Sequence, residues 1–276
     1  MTVKLITRLL LISLPLFLKA GCTPQDFDEV AHYKIGDDAP LIVLLGGSEG
    51  GYPHIPFLIE EFRSRKISVA EIAYFGLPNG PKHLQEIDID SVAAEINELS
   101  QDHSCIGVLG ISKGAELALL LAAYQPVSDV TVAMVPSHVA WQSSRLSIRN
   151  TSSWVRQGAP LDFVPYNTFS LTALRAGLDY EKALPLHMAA LENAEAVQSA
   201  AIPVEEIDQP VLLQSAVRDQ IWPSASMSLS IIERANQFDA EHRITHLQYD
   251  HDHYLLENQE AVSDLLSFFD TAFNEC

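Results

Sequence analysis

Ser112 lies in Gly110-Ile111-Ser112-Lys113-Gly114, where an apolar run that starts at Cys105 breaks and a helical pattern begins at once. A serine in so tight a strand-to-helix turn needs neighbours almost without side chains two positions to either side, and Gly110 and Gly114 meet that need. The turn lifts the hydroxyl clear of a sheet and aims the first N–H groups of the next helix at negative charge growing beside it. That is the chemistry of a nucleophile attacking an acyl carbon, and it requires a base and an acid. Asp219 follows the apolar run Val211 to Ala216, and His253 follows the run that ends at Tyr249. An imidazole there takes the serine proton and returns it to the leaving group, while a carboxylate fixes the ring's tautomer. His253 is preferred because Tyr254-Leu255-Leu256 anchors its loop, with His251 as the open alternative. Asp219 has a second reading as the cap of a helix starting near Ser224, although Ser224 suits that task itself.

A second glycine cluster, Gly46-Gly47-Ser48-Glu49-Gly50-Gly51, follows the first strong strand. Its backbone can turn N–H groups inward, so the expected oxyanion donors are the N–H groups of Ser48 and Lys113. The cluster lacks the Lys-Ser or Lys-Thr of a phosphate-cradling loop, and no Gly-x-Gly-x-x-Gly spacing is present. His251 and His253 alone do not make a zinc set. No cofactor and no metal are expected. His54 and His138 are further residues that can line the site, and Trp141, Trp154, Phe163, Tyr166 and Phe169 either line an acyl groove or form a core of their own.

The elements that must position these groups alternate. Strands are expected at Leu41 to Leu45, Ser68 to Tyr74, Cys105 to Leu109, Val130 to Val135, Val211 to Ala216 and Ile244 to Tyr249, most of them continuous apolar runs. Such runs are buried on both faces, which makes the sheet mostly parallel with helical crossovers. Helices are expected at Pro56 to Arg65, Ser91 to Ser100, Lys113 to Tyr124, Ser224 to Asn236 and Gln259 to Phe273. About 75 residues between Val135 and Val211 break the alternation, with helical pattern only near Arg175 to Leu178 and Leu186 to Ala200. A loop that long is an insertion packed over the strand ends, a lid over about 137–209. Ser, then Asp, then His is the chain order of α/β-hydrolases. The fold class is therefore α/β, an α/β-hydrolase sheet with helices on both faces and a lid.

Of the 276 residues, 47% are hydrophobic, enough for a sizeable core. Residues 1–22 read as an export signal: Lys4 and Arg8, then the apolar run Leu9 to Leu18, too short to span a bilayer. Its end, Leu18-Lys19-Ala20-Gly21-Cys22, resembles a bacterial lipoprotein cleavage site with Lys19 in an unusual place. The expectation is an exported chain at the periplasmic face or cell envelope, lipid-anchored at Cys22 and touching a membrane through that anchor alone. A polar lead-in, 23–39, precedes a catalytic domain over 40–276. Loss of residues 1–21 leaves 14 basic against 36 acidic residues, a formal charge of −22, which excludes nucleic acid as a partner. Cys105 and Cys276 are too few for a disulfide framework and read as structural or incidental.

Several stretches together resemble one family. They are residues 46–51, Ala73-Tyr74-Phe75-Gly76-Leu77-Pro78, Gly110 to Leu119, Pro136 to Gln142, Ser152-Ser153-Trp154 with Phe163 to Tyr166, Ile202 to Ile207, and Asp219 to Ser224. The family is the C-terminal catalytic domain of acyl-CoA thioesterases and bile acid-CoA:amino acid N-acyltransferases, and the likeness covers about residues 40–265. It implies an α/β-hydrolase acting on acyl thioesters, with Ser112 as nucleophile, Asp219 as acid and His253 as base. Members that transfer acyl groups to amino acids tend to carry cysteine at the nucleophile, so Ser112 favours hydrolysis. The family's N-terminal β-sandwich domain has no room in the 18 or so residues between Cys22 and the first expected strand. His138, Trp141 and Trp154 are candidate lid contacts to substrate. The alternatives are a carboxylesterase or serine peptidase on the same fold, and a non-catalytic binding lipoprotein. Residues 137–182 hold Arg145, Arg149, Arg156, Arg175 and Lys182 against Asp162, Asp179 and Glu181, which gives the lid only a mild positive tilt.

Overall fold

The computed structural model describes residues 30–143 and 150–276; the expected export signal with Lys19 and Cys22, and Arg145 and Arg149, lie outside these residues. In chain order the strands are β1 (Val30–Tyr33), β2 (Leu41–Leu45), β3 (Ser68–Ile72), β4 (Ile87–Asp88), β5 (Ile106–Ile111), β6 (Val130–Met134), β7 (Trp154–Arg156), β8 (Ala159–Pro160), β9 (Val211–Ala216) and β10 (Ile244–Tyr249). The helices are α1 (Pro56–Ser64), α2 (Ile89–Ser100), α3 (Lys113–Tyr124), α4 (Leu171–Leu178), α5 (Leu184–Leu191), α6 (Ala194–Ser199), α7 (Ser224–Gln237) and α8 (Gln259–Phe273).

Seven strands form one sheet in the order β1-β3-β2-β5-β6-β9-β10, parallel throughout except for β1. The continuous apolar runs are explained by burial on both sides, and the two-residue alternation of a strand sorts them. Leu41, Val43 and Leu45 join the core under α2, α3 and α7, whereas Ile42 and Leu44 join the core under α1 and α8. β1 departs from the sequence expectation, which put residues 23–39 in a polar lead-in. Val-Ala-His-Tyr is short and carries one exposed histidine, the pattern of an edge strand and not of a buried one. It runs antiparallel along β3, with Val30 opposite Ile72.

The cysteines also depart from expectation. Cys105, just before β5, and Cys276, beyond the end of α8, form a disulfide with Cα atoms 5.9 Å apart. Gly107 explains the approach: a Cβ there would lie 2.7 Å from Phe269 and 3.0 Å from Phe273, so glycine lets α8 lie close on β5 and carries the last residue to the strand's start.

β5 turns into α3 at Ser112, whose φ of 56° and ψ of −115° lie outside the ordinary regions for a side-chain-bearing residue. The turn is close-packed. A Cβ on Gly110 would lie 2.1 Å from the Gly114 carbonyl oxygen, and one on Gly114 would lie 2.1 Å from that of Leu45 and 2.4 Å from that of Gly46.

The lid is more ordered than the sequence pattern indicates. β7 pairs with β4 and β8 in a small second sheet, and α4, α5 and α6 follow. It is fastened to α3 by a buried charge. Glu116 accepts from Lys113 Nζ (2.8 Å), the backbone N–H of Trp141 (2.9 Å) and Trp154 Nε1 (2.5 Å). Burial pushes the Glu116 carboxyl up from the ordinary carboxylate range; the Lys113 ammonium and the two tryptophan donors oppose that push.

Gly110→Ala and Gly114→Ala are expected to lower the unfolding free energy by about 2 kcal/mol or more, whereas Gly36→Ala and Gly80→Ala, with nothing within 4 Å of the new Cβ, should change it by less than about 0.5 kcal/mol. Denaturant midpoints compare the four, and equal losses would refute a close-packed turn. Glu116→Gln removes the carboxylate that the Lys113 ammonium bonds and should cost about 3 kcal/mol, part of which returns when Lys113→Met is added. A Glu116→Gln midpoint equal to that of the parent would remove the carboxylate from this role.

Candidate active site

The ends of five strands converge on Ser112. β2 and β6 flank β5, with Leu45 opposite Gly110 and Met134 opposite Ile111, so the turns after these strands surround the serine. β9 and β10 end in register, Ala216 beside Tyr249, and the loops that follow carry Asp219 and His253 to the same edge. Ser112, Asp219 and His253 are all buried there.

The three groups form a row of hydrogen bonds. The Ser112 hydroxyl lies 2.9 Å from His253 Nε2, and His253 Nδ1 lies 2.8 Å from Asp219 Oδ2. A carboxylate only accepts, so Nδ1 carries the ring proton and Nε2 is left to accept from Ser112. The Asp219 carboxylate is fully engaged: Oδ1 takes the N–H groups of Ile221 (2.9 Å) and Trp222 (3.2 Å), and Oδ2 also takes the Ser224 hydroxyl (2.7 Å). This corrects the capping readings of both residues. α7 has Pro223 at its cap position, and Ser224, the first helical residue, spends its hydroxyl on Asp219. His251 points elsewhere, to Asp252 at 3.1 Å.

A cavity of about 630 Å³ opens beside Ser112, walled on one side by Gly46, Gly47 and Ser48 and on the other by Met134, Ile221 and Leu255. A second cavity of about 340 Å³ lies beyond Ser48 and Tyr180, with Lys82, His83, Lys113 and Glu49 on its walls. Ser48 and Tyr180, whose Oγ and OH lie 2.9 Å apart, line both cavities. Tyr74 holds the glycine loop from behind: its hydroxyl donates to the carbonyls of Gly46 (2.7 Å) and Gly47 (3.2 Å). Burial, with Glu49 and Glu116 nearby, pushes the Tyr74 phenol well up, which keeps it a donor. Lys113 opens α3, so its N–H lies at the positive end of the helix dipole. Ser48 and Lys113, the expected oxyanion donors, both reach these cavity walls.

His138, Trp141 and Trp154 are not on those walls. Trp141 and Trp154 are fully buried between lid and α3, with their N–H groups committed to Ser137 and Glu116. Burial lowers His138 to about 4, which keeps its ring neutral. Phe169 is exposed on the lid. The sequence reading missed Tyr74, Glu116 and Tyr180. Glu116 did carry a signal, a lone acid within an otherwise apolar helix. Among the described residues the one cluster with metal-compatible spacing is Cys105, Asp129 and Cys276, at the other end of β5, and its two sulfurs are joined.

Comparison with known proteins bears on this site. Among solved structures, an esterase from Pyrococcus furiosus superposes with a TM-score of 0.57 at 16% identity, covering 85% of this chain and 83% of that one. A monoacylglycerol lipase from Paleococcus ferrophilus gives 0.56 at 16% identity, covering 88% and 98%. At such identities the likeness is one of fold, and the fold is that of an α/β-hydrolase. By sequence, the acyl-coenzyme A thioesterase 1 of Mus musculus is 25% identical over 201 residues, 71% of this chain and 43% of that protein. The acyl-coenzyme A amino acid N-acyltransferase 2 of Rattus norvegicus is 37% identical over 99 residues, 34% of this chain and 23% of that protein. The chain spans less than half the length of either relative. The family described as BAAT / acyl-CoA thioester hydrolase C terminal matches residues 96–258, more than half of the chain, from the second half of α2 to beyond the loop bearing His253, and the chain belongs to that family.

Proposed function

We propose that this protein is a serine hydrolase that cleaves acyl thioesters through an acyl-enzyme on Ser112. The observation that carries the reading is the row Ser112 Oγ, His253 Nε2, His253 Nδ1, Asp219 Oδ2, with contacts of 2.9 and 2.8 Å, at the wall of an apolar cavity. In the first step His253 takes the Ser112 proton as Oγ attacks the carbonyl carbon. The oxygen that becomes negative faces the glycine loop and the start of α3, where the N–H groups of Ser48 and Lys113 receive it. The carbon–sulfur bond then breaks, and His253 returns the proton to the departing thiolate. Water, activated by the same imidazole, releases the acid and restores Ser112.

The two cavities divide the substrate. The 630 Å³ space, with Met134, Ile221, Leu255 and Leu256 on its walls, suits an acyl chain. The 340 Å³ space, where Lys82, His83 and Lys113 stand beside Glu49, suits a polar leaving group. Family membership supports a thioester, and serine at the nucleophile position supports water over an amino acid as acceptor.

A fluorophosphonate is expected to label the folded protein at Ser112, and Ser112→Ala to abolish both labelling and turnover. Asp219→Asn should keep the fold and lower kcat by about 10⁴, because the imidazole loses its tautomer control. A panel of acyl thioesters, p-nitrophenyl esters and peptides should show the highest kcat/KM on a thioester. Labelling of Ser112→Ala, or preference for peptides, would overturn the reading.

A further inference from the structure

α4 is packed with its small side chains inward and its large ones outward. Ala173 and Ala176 face the lid core with Ala183, Leu186 and Tyr166. Leu171, Leu174 and Leu178 are 74%, 61% and 81% exposed, and Phe169, just ahead of the helix, is 92% exposed. Positions i, i+3 and i+7 share one helix face, so the three leucines make a continuous apolar stripe. Water does not stabilise that orientation, and a contiguous exposed patch of this kind marks a contact with another apolar phase. The stripe stops two residues before Tyr180, which walls both cavities of the site.

The path of the chain says which phase. Val30 lies opposite Ile72, Ile72 opposite Leu45, and Leu45 opposite Gly110, so the chain enters the sheet at the edge that carries Ser112 and the lid. Seven residues separate Val30 from Cys22, and a fully extended chain spans at most about 28 Å over that interval. A lipid on Cys22 would therefore keep the end of the sheet that carries the lid within about 28 Å of a bilayer. Among the described residues no helix is long and apolar enough to cross a membrane. The strong acidity of the chain favours insertion of apolar side chains into an uncharged lipid surface over attraction to anionic headgroups.

We propose that the Leu171, Leu174, Leu178 and Phe169 face of the lid docks on a lipid bilayer, with Cys22 as the second point of attachment, and so holds the Tyr180 wall of the site at the membrane surface. The docking stands apart from the acyl-enzyme reading, since it uses none of Ser112, Asp219 or His253.

The purified full chain carrying Leu178→Trp, mixed with phosphatidylcholine vesicles brominated in their acyl chains, tests this. The native Trp141, Trp154 and Trp222 are buried and give little quenchable background. The emission of Leu178→Trp should shift to shorter wavelength on plain vesicles and be quenched on brominated ones. Adding Leu174→Asp should abolish both effects. Phe238→Trp, exposed at the far end of α7, should show neither. Ser112→Ala in the Leu178→Trp background should leave the quenching intact, so a failed hydrolase reading is read separately from a failed docking. Quenching equal at positions 178 and 238, or none at 178, overturns the proposal. So does a concentration-dependent dimer, formed without lipid and lost with Leu174→Asp, which assigns the stripe to a second copy of the chain.

Discussion

The backbone of Ser112, at φ 56° and ψ −115°, is the constraint to which most of the molecule answers. The conformation persists only because the chain around it is overdetermined: α3 can leave β5 at that angle when Gly114 rests on the carbonyls of Leu45 and Gly46, and when Gly110 admits the first turn of the helix. This contact fixes α3 across the end of β2, which brings the glycine loop to the side of the serine. It also sets the direction in which Glu116 points, and hence where the lid can be fastened. β9 and β10 then need only end at the same edge for Asp219 and His253 to arrive.

The fastening uses charge where apolar packing would be the ordinary choice. Glu116 receives one ammonium, one indole N–H and one backbone N–H. Such a group contributes less net stability than hydrophobic residues of the same volume, and its value is geometric. A carboxylate with directed donors accepts one placement of Trp141 and Trp154, so the lid meets α3 in one register. Tyr74 plays a comparable part behind the glycine loop, where two carbonyls on one hydroxyl orient successive peptides.

The sheet was legible in the sequence because parallel strands under two helical layers are buried on both faces, as Leu41 to Leu45 and Val211 to Ala216 are, and these have the observed bounds. Ile244 to Tyr249 also has its observed bounds, although as the edge strand it buries only Tyr249. The approach of His253, rather than His251, to Ser112 was legible too, through the apolar residues after His253 that pin its loop, of which Leu255 is buried. β1 was not, because an edge strand needs only a few residues and no continuous apolar run. The lid was legible as an insertion but not in its parts. β7 and β8 are three and two residues long, too short to show a period. α4 inverts the usual rule that large apolar residues face the core, so the same pattern that marks a helix misassigns its buried side. Trp141 and Trp154, aromatic and dense enough to suit a groove, pack inward because Glu116 claims their N–H groups. The Cys105–Cys276 pair depends on how closely α8 lies on β5, a distance decided by the absent side chain of Gly107.

The disulfide also gives the molecule a polarity along its strands. Cys276 is tied to the start of β5, while Ser112 follows its end, so the two stand at opposite poles of the sheet. A fluorescent reporter, an affinity handle or a solid support joined after Cys276 would project from the pole away from the cavity mouth. The same attachment made ahead of Val30 would crowd it.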